Sequence, residues 1–205
     1  MPGLIDPMQA ARYQALGRLV DDLRLPPGRF LDIGSDLGDI CQMMHGLGHE
    51  TVGLEVQDHV LKEARDKYPH LRFENANCEE ELPFEDASFD LAWSGDVIEH
   101  IRATDVFVNE ANRVLRVGGH FIVTTPMHNR IKGALVALVN FERHYDPEFP
   151  HYRFYTPKSL RRVLEARGFR VIKLQYLGRP YPISQSMLVV ARKESDRQVK
   201  SEFAF

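Results

Sequence analysis

The sequence predicts an α/β protein in which a doubly wound parallel sheet is sandwiched between helices, a three-layer αβα arrangement. Two observations carry this. Short apolar runs alternate along the chain with segments of helical period, the pattern of successive β-α-β units. In addition, "RFLDIGSDLGDI", residues 29–40, is an apolar run that breaks into a glycine-bearing turn and then a helix start. Such a corner presents backbone N–H groups to phosphates and nucleotides. The 205 residues suit a single domain, 1–205, with a core that needs no covalent staple.

The elements follow in order. Residues 7–24 read as a leading helix, because Leu16, Leu19, Val20 and Leu23 fall on one face, and Pro26-Pro27-Gly28 breaks it. The first strand is 30–33, and a helix from about 37 to 47 ends at Gly48. "ETVGLEV" (50–56) is the second strand, 57–68 its helix, and Pro69 the stop. "LRFEN" (71–75) and "SFDLAWS" (88–94) are the third and fourth strands. A helix over 104–115 is expected to stop at Gly118-Gly119 before a fifth strand at 120–126. Thr156 as N-cap, Pro157 in the first turn and Gly168 at the end frame a helix over 156–168. Two closing strands, 169–178 and 184–193, precede a polar tail expected to fray from Glu194 onward.

Composition narrows the function. The chain is 43% hydrophobic and 27% charged with a net charge of -3, as in a folded globular protein. It lacks a long basic stripe, which argues against a nucleic-acid partner held by counterion release. The two cysteines, Cys41 and Cys78, have no zinc-type spacing and read as reduced thiols, so a cytoplasmic location is expected. The N-terminus, "MPGLIDPMQAARYQ", lacks a basic region followed by an apolar run, and no apolar stretch approaches the roughly 20 residues of a membrane span.

Ligands of open α/β sheets bind at the carboxyl ends of the strands. Just there stand the Gly34–Gly38 turn, then Glu55, then "ANCEEELPFEDASFD", then "SGDVIEH". Glu55 lies 21 residues beyond Gly34, where an acidic side chain accepts hydrogen bonds from ribose hydroxyls. The segments "LDIGSDLG", "VGLEV", "LPFEDASFDLAWSGDVIEHI", "RVLRVGGHFIVTTP" and "HYRFYTPKSLRRVLEARGF", in this order, resemble a class I S-adenosylmethionine-dependent methyltransferase of the small-molecule type. The resemblance spans about residues 28–169. It implies a Rossmann-like sheet of seven strands with the last antiparallel, and S-adenosyl-L-methionine as cofactor. It further implies that Asp32, Gly34, Ser35 and Gly38 form the turn under the methionine moiety and that Glu55 holds the ribose. Asn77 and Cys78 would face the adenine edge, Val56 would pack on its ring, and Ser94 and Gly95 would floor the methyl group.

Asp36 departs from that family's usual glycine. If the backbone there has positive φ, Asp is among the less costly side chains to place. A carboxylate would repel a dinucleotide pyrophosphate but tolerates the cationic sulfonium and ammonium of S-adenosylmethionine, so Asp36 counts among the cofactor-binding candidates and against a nicotinamide enzyme. The plainer reading, a helix-start residue favoured by the dipole, stays open.

A methyltransferase mainly aligns the acceptor and excludes water, with a base where oxygen or nitrogen is methylated. His100, His128, His144 and His151 are base candidates, and His100 is the catalytic assignment. Asp96, Glu99 and His100 have i, i+3, i+4 spacing, on one face if helical. This resembles the acid-x-x-Glu-His pattern of metal-using RNA 3′-terminal 2′-O-methyltransferases and ubiquinone-pathway O-methyltransferases; the reading adopted assigns no metal. Residues 127–155 form a long connection whose aromatic second half (Phe141, His144, Tyr145, Phe149, His151, Tyr152, Phe154, Tyr155) and apolar helix (131–139) read as a lid suited to an aromatic or apolar acceptor. The functional expectation is methyl transfer to a small molecule, at oxygen in preference to nitrogen or carbon. The alternatives are a non-catalytic module that keeps the cofactor pocket, a metal-assisted RNA 2′-O-methyltransferase-like enzyme, and a dehydrogenase, which the missing Gly-x-Gly-x-x-Gly weakens.

Overall fold

The computed structural model describes residues 7–144, 146, 148 and 151–196. Seven strands form one sheet: β1 (Arg29–Ile33), β2 (Glu50–Glu55), β3 (Arg72–Asn75), β4 (Phe89–Gly95), β5 (Leu115–Pro126), β6 (Phe169–Leu177) and β7 (Ser186–Lys193). Their order is β3-β2-β1-β4-β5-β7-β6. All pairings from β3 to β5 are parallel, and β7 runs antiparallel to both β5 and β6. This is the seven-stranded sheet with an antiparallel last strand that the sequence implies. The short link after β6 turns the chain straight back, so β7 enters antiparallel, between β5 and β6. Strand order reverses between β1 and β4, which opens a crevice at their carboxyl ends.

The helices are α1 (Pro7–Asp22), α2 (Asp39–Gly46), α3 (Asp58–Lys67), α4 (Thr104–Val114), α5 (Arg130–Val139), α6 (Phe141–His144) and α7 (Pro157–Glu165). Both sheet faces are buried, as strands with near-continuous apolar sequence require. Leu31, Ile33, Phe121, Val123 and Val189 pack with Phe107 and Ala111 of α4 and Leu160 and Leu164 of α7. The alternate residues Phe30, Leu91, Trp93, Ile122, Leu188 and Val190 pack with Leu16, Leu19 and Val20 of α1 and Met44 of α2. The period of two thus sends each strand's side chains to two separate cores.

Several sequence expectations shift. α1 ends two residues earlier than read, at Asp22, and β7 begins two residues later, at Ser186. The larger change is at Gly118-Gly119, which lie inside β5 rather than ahead of it. Leu115 already pairs with Phe89, and the register then slips so that Leu91 faces His120. The irregularity needs glycine: a Cβ on Gly119 would meet the carbonyl oxygens of Arg116 at 2.9 Å and Asp90 at 3.0 Å. The expected cap of α7 is present in full, with Ser159 N–H donating to Thr156 Oγ1 at 3.1 Å and Thr156 N–H to Ser159 Oγ at 2.9 Å.

The connection from β5 to α7 is tied down at its base. Met127 bridges Tyr155, His128 N–H donates to Tyr155 O at 3.0 Å, and Tyr152 and Arg153 N–H both donate to Glu99 O. Tyr145, Phe149 and the side chain of His144 lie outside the described residues, as does the tail beyond Asp196. Among the described residues no helix is long and apolar enough to cross a membrane.

Candidate active site

The corner after β1 is built by its glycines. Gly34 (φ +80°) and Gly38 (φ +81°) both occupy the left-handed region. A Cβ on Gly34 would strike Val97 at 2.5 Å, and one on Gly38 would strike the Phe73 ring at 2.5 Å. The turn is pinned to β2 by Gly34 and Ser35 N–H, each donating to Leu54 O at 2.9 Å. Asp36 has φ +48°, the conformation for which the sequence reading finds Asp among the least costly side chains.

Beside this corner a cavity of about 520 Å³ opens at the carboxyl ends of β1 to β4. Gly34 and Asp36 line it from the corner, Glu55 and Val56 from the end of β2, Asn77 and Cys78 from beyond β3, and Gly95 and His100 from beyond β4. Four other predicted residues support the cavity without lining it. Asp32 is buried beneath the turn and accepts a hydrogen bond from Cys41 Sγ at 3.6 Å. Ser35 tucks its hydroxyl under β2, where a Cβ on Gly53 would meet it at 2.8 Å. Gly38 caps α2 against Phe73, and Ser94 is wholly buried in β4.

The Glu55 carboxylate is held by backbone. It accepts from Asp36 N–H at 3.2 Å, Val56 N–H at 2.9 Å and Gln57 N–H at 3.0 Å. A carboxylate with about four acceptor positions retains capacity for a ligand hydroxyl. Burial and the neighbouring Glu55 charge raise the Asp36 carboxyl above its ordinary value. Burial raises Asp32 well above its own, with Asp36 and Glu55 adding to the effect and the Cys41 thiol opposing it. The carboxyls of Asp36 and Glu55 at one end of the cavity suit a cationic ligand and disfavour a pyrophosphate. Asn77 is occupied locally: its amide donates to Glu80 at 2.9 Å and its carbonyl accepts from Glu79 N–H at 3.0 Å. Burial pushes the Cys78 thiol up to about 12, which makes it an apolar wall rather than a nucleophile.

The segment after β4 departs from the helical face that its spacing suggests. Asp96 has φ +54°, and only Ile98–His100 form a single 3-10 turn, so Asp96 does not align with Glu99 and His100. Asp96 instead pairs closely with Arg12 of α1 and accepts from Thr124 Oγ1 at 2.9 Å. His151, from the β5–α7 connection, comes in beside His100: its ring lies 4.8 Å from that of His100, centroid to centroid. One ligand-type atom each of Glu99, His100 and His151 lie within 4.8 Å of one another. Glu99 is buried, with Oε2 accepting from Thr125 Oγ1 at 3.0 Å and Oε1 without a hydrogen-bond partner.

Sequence reasoning missed Arg12 and Tyr13, which α1 brings to this end of the sheet. The Tyr13 hydroxyl is pushed up to about 12, first by burial and then by Asp39, with Asp32 and Asp36 adding to it. No local signal marks either residue, since α1 reads only as an amphipathic helix.

Burial, then the Asp96 charge, push the Glu99 carboxyl from 4.5 to about 8. Its linkage to stability has a definite sign. Below its ordinary value both states hold the proton; between there and about 8 the unfolded chain releases it and the folded chain keeps it. Unfolding therefore becomes easier as pH rises through that window, and the effect levels off above it. Glu99→Gln carries no charge at any pH. The melting temperature of the variant minus that of the parent is expected to grow from about pH 5 to about pH 8. A flat difference across that range would show that Glu99 titrates normally.

Residues 31–123 match the methyltransferase domain family. A probable S-adenosylmethionine-dependent methyltransferase of Mycolicibacterium smegmatis is 34% identical over 144 residues, 69% of this chain and 51% of that one. The demethylmenaquinone methyltransferase of Chlorobaculum tepidum is 27% identical over 180 residues, 80% of this chain and 73% of the relative. For the most part the chain spans about half the length, or less, of the curated relatives it matches. A crystal structure of a putative methyltransferase from Bacillus halodurans superposes with a TM-score of 0.75 at 18% identity, covering 89% of this chain and all of that one, a likeness of fold. With the reversed strand order, the glycine corner and the acidic residue at the end of β2, these matches show that the chain belongs to the class I S-adenosylmethionine-dependent methyltransferases.

Proposed function

We propose that this chain transfers the methyl group of S-adenosylmethionine to oxygen on a small, aromatic or apolar acceptor. The observation that carries the reading is one cavity with Glu55 and the glycine corner at one end and Gly95 and His100 at the other. The residues fit the cofactor: the volume suits a ligand of that size, and the Asp36 carboxyl lines the cavity at the corner that takes the cationic methionine end. Glu55 takes the ribose, Val56, Asn77 and Cys78 the adenine, and the Gly34–Gly38 turn the methionine end, with Asp32, Ser35 and Ser94 shaping the walls from behind. The cofactor when bound supplies an electrophilic methyl on a sulfonium, and its by-product is S-adenosylhomocysteine. Gly95 lines the cavity at the end of β4 beside that centre, and packing keeps it glycine, since a Cβ there would strike the Trp93 indole at 2.9 Å. His100 orients the acceptor hydroxyl and takes its proton as the oxygen gains the methyl. The described end of the connection, tied to Glu99 O by Tyr152 and Arg153 N–H beside this cavity, serves as its cover and excludes water.

S-adenosylhomocysteine is expected to raise the melting temperature, because a ligand that binds only the folded state stabilises it. No shift at saturating ligand would count against the assignment, whereas binding without turnover on any acceptor would favour a non-catalytic module. Asp36→Gly is expected to bind S-adenosylhomocysteine at least as tightly as the parent in calorimetry, since it restores the family's usual residue and relieves a non-glycine positive φ. Loss of binding would make the carboxylate a direct ligand.

The Glu99–His100–His151 cluster favours a second reading, in which a divalent cation polarises the acceptor oxygen. Against it, Asp96 is engaged by Arg12, whose guanidinium already answers the acidic charge at the end of β4. Turnover is expected to survive exhaustive chelation. Activity abolished by chelator and restored by magnesium, manganese or zinc would establish the metal-assisted route.

A further inference from the structure

Helix α5 is turned inside out. Ile131, Ala134, Leu135, Leu138 and Val139 recur at the i, i+3, i+4, i+7, i+8 spacing of a core-facing stripe, yet all five are exposed, Leu138 at 83% and Val139 at 72%. The helix has no buried residue. Its roll is fixed by polar contacts at its start, beside one edge of the stripe. Asn129 Oδ1 caps Lys132 N–H at 2.9 Å, and Asn129 Nδ2 donates to Pro182 O at 2.7 Å. Lys132 points its ammonium inward to Met127 O at 2.8 Å and Ser184 O at 3.2 Å. The lysine therefore faces the protein and the leucines face solvent, the reverse of a helix that serves its own core. An exposed apolar stripe of this kind marks an interaction surface.

The charges at its two ends differ in sign. Exposed Arg130 and Arg179 stand at the start of α5, where Arg179 is near enough to lower the Lys132 pKa. Exposed Glu142, Asp146 and Glu148 follow its end. An anionic bilayer would want a basic rim throughout and a cationic protein, and the chain carries a net charge of -3. A second copy laid antiparallel sets the basic end of each helix on the acidic end of the other and closes a two-fold, self-complementary contact.

We propose that α5 is the dimerisation face of this protein, pairing antiparallel with α5 of a second copy, Arg130 of each opposite Glu142 of the other. Exposed Tyr181 and Ile183, on the segment that Asn129 and Lys132 hold against α5, extend the apolar patch. Even so, a pair of ten-residue helices buries less than the roughly 800 Å² per partner of a standard interface, so the dimer dissociates on dilution. The pairing does not depend on methyl transfer.

Sedimentation velocity of the full chain over a wide concentration range tests this. The parent is expected to pass from monomer to dimer, and Leu138→Glu to remain monomeric with an unchanged circular dichroism spectrum. Arg130→Glu and Glu142→Arg should each be monomeric alone, through like-charge contacts, and should form a heterodimer when mixed. That rescue cannot come from a folding defect. A parent that stays monomeric, a dimer that survives Leu138→Glu, or single charge variants that fail to recombine would overturn the proposal. So would a monomeric parent that co-sediments with anionic phospholipid vesicles, which would make a bilayer the occupant instead.

Discussion

Replacing His100 with alanine is expected to lower turnover by about 100-fold or more, the usual contribution of a positioned general base, with S-adenosylhomocysteine affinity nearly unchanged. The asymmetry follows from position. His100 lines the cavity from the segment beyond β4, opposite the Glu55 end, and its ring is backed by His151. Truncation removes a group from the side proposed for the acceptor and leaves the β1 corner and the β2 carboxylate as they were. His100→Gln, which can donate a hydrogen bond but cannot accept a proton at neutral pH, separates two roles. Turnover as low as in the alanine variant would identify a base; recovery toward the parent rate would identify a positioning group. An alanine variant with parental turnover would move catalysis to another residue, with His151 the first to examine.

Glu55→Ala is expected to weaken S-adenosylhomocysteine binding by roughly 1–3 kcal/mol, about five- to 150-fold, the cost of leaving buried hydrogen-bonding groups unpaired. In this protein the loss has two parts. In the role proposed above the ribose hydroxyls would lose their acceptor, and three backbone N–H groups, of Asp36, Val56 and Gln57, lose theirs. The second part loosens the link between the β1 corner and the β2 end even without ligand. A ligand lacking the ribose hydroxyls separates the two: if the variant binds 2′,3′-dideoxy cofactor analogues as well as the parent does, the whole effect is ribose recognition. Unchanged affinity for S-adenosylhomocysteine would make Glu55 a structural carboxylate only.

Much of this was legible in the sequence because the signals are local. Alternating apolar runs and helical periods depend on neighbours a few residues apart, so the sheet, its flanking helices and the cap of α7 follow from the chain itself. The glycine corner and the acidic residue closing β2 are likewise short-range, because backbone sterics and strand length place them. For Asp36 the sequence leaves the sign of φ open, and the folded turn sets it at +48°. What the sequence lacks is any record of which distant segments meet. The period of β5 shows that both its faces are buried, but only the folded sheet sets β7 between β5 and β6. Spacing alone joins Asp96 to Glu99 and His100; the positive φ at Asp96 and the arrival of Arg12 from α1 remove it, and His151 comes in from across the β5–α7 connection. Asp32, Ser35 and Ser94 carry polar side chains at the right ends of strands, yet burial turns them into walls behind the cavity rather than its lining. The apolar helix over 131–139 reads in sequence as part of a lid, and only the fold, with Lys132 drawn inward, shows that its stripe faces out. The local rules fix which face of an element is apolar; what that face meets is settled by contacts between residues far apart in the chain, and those exist only once the chain has folded.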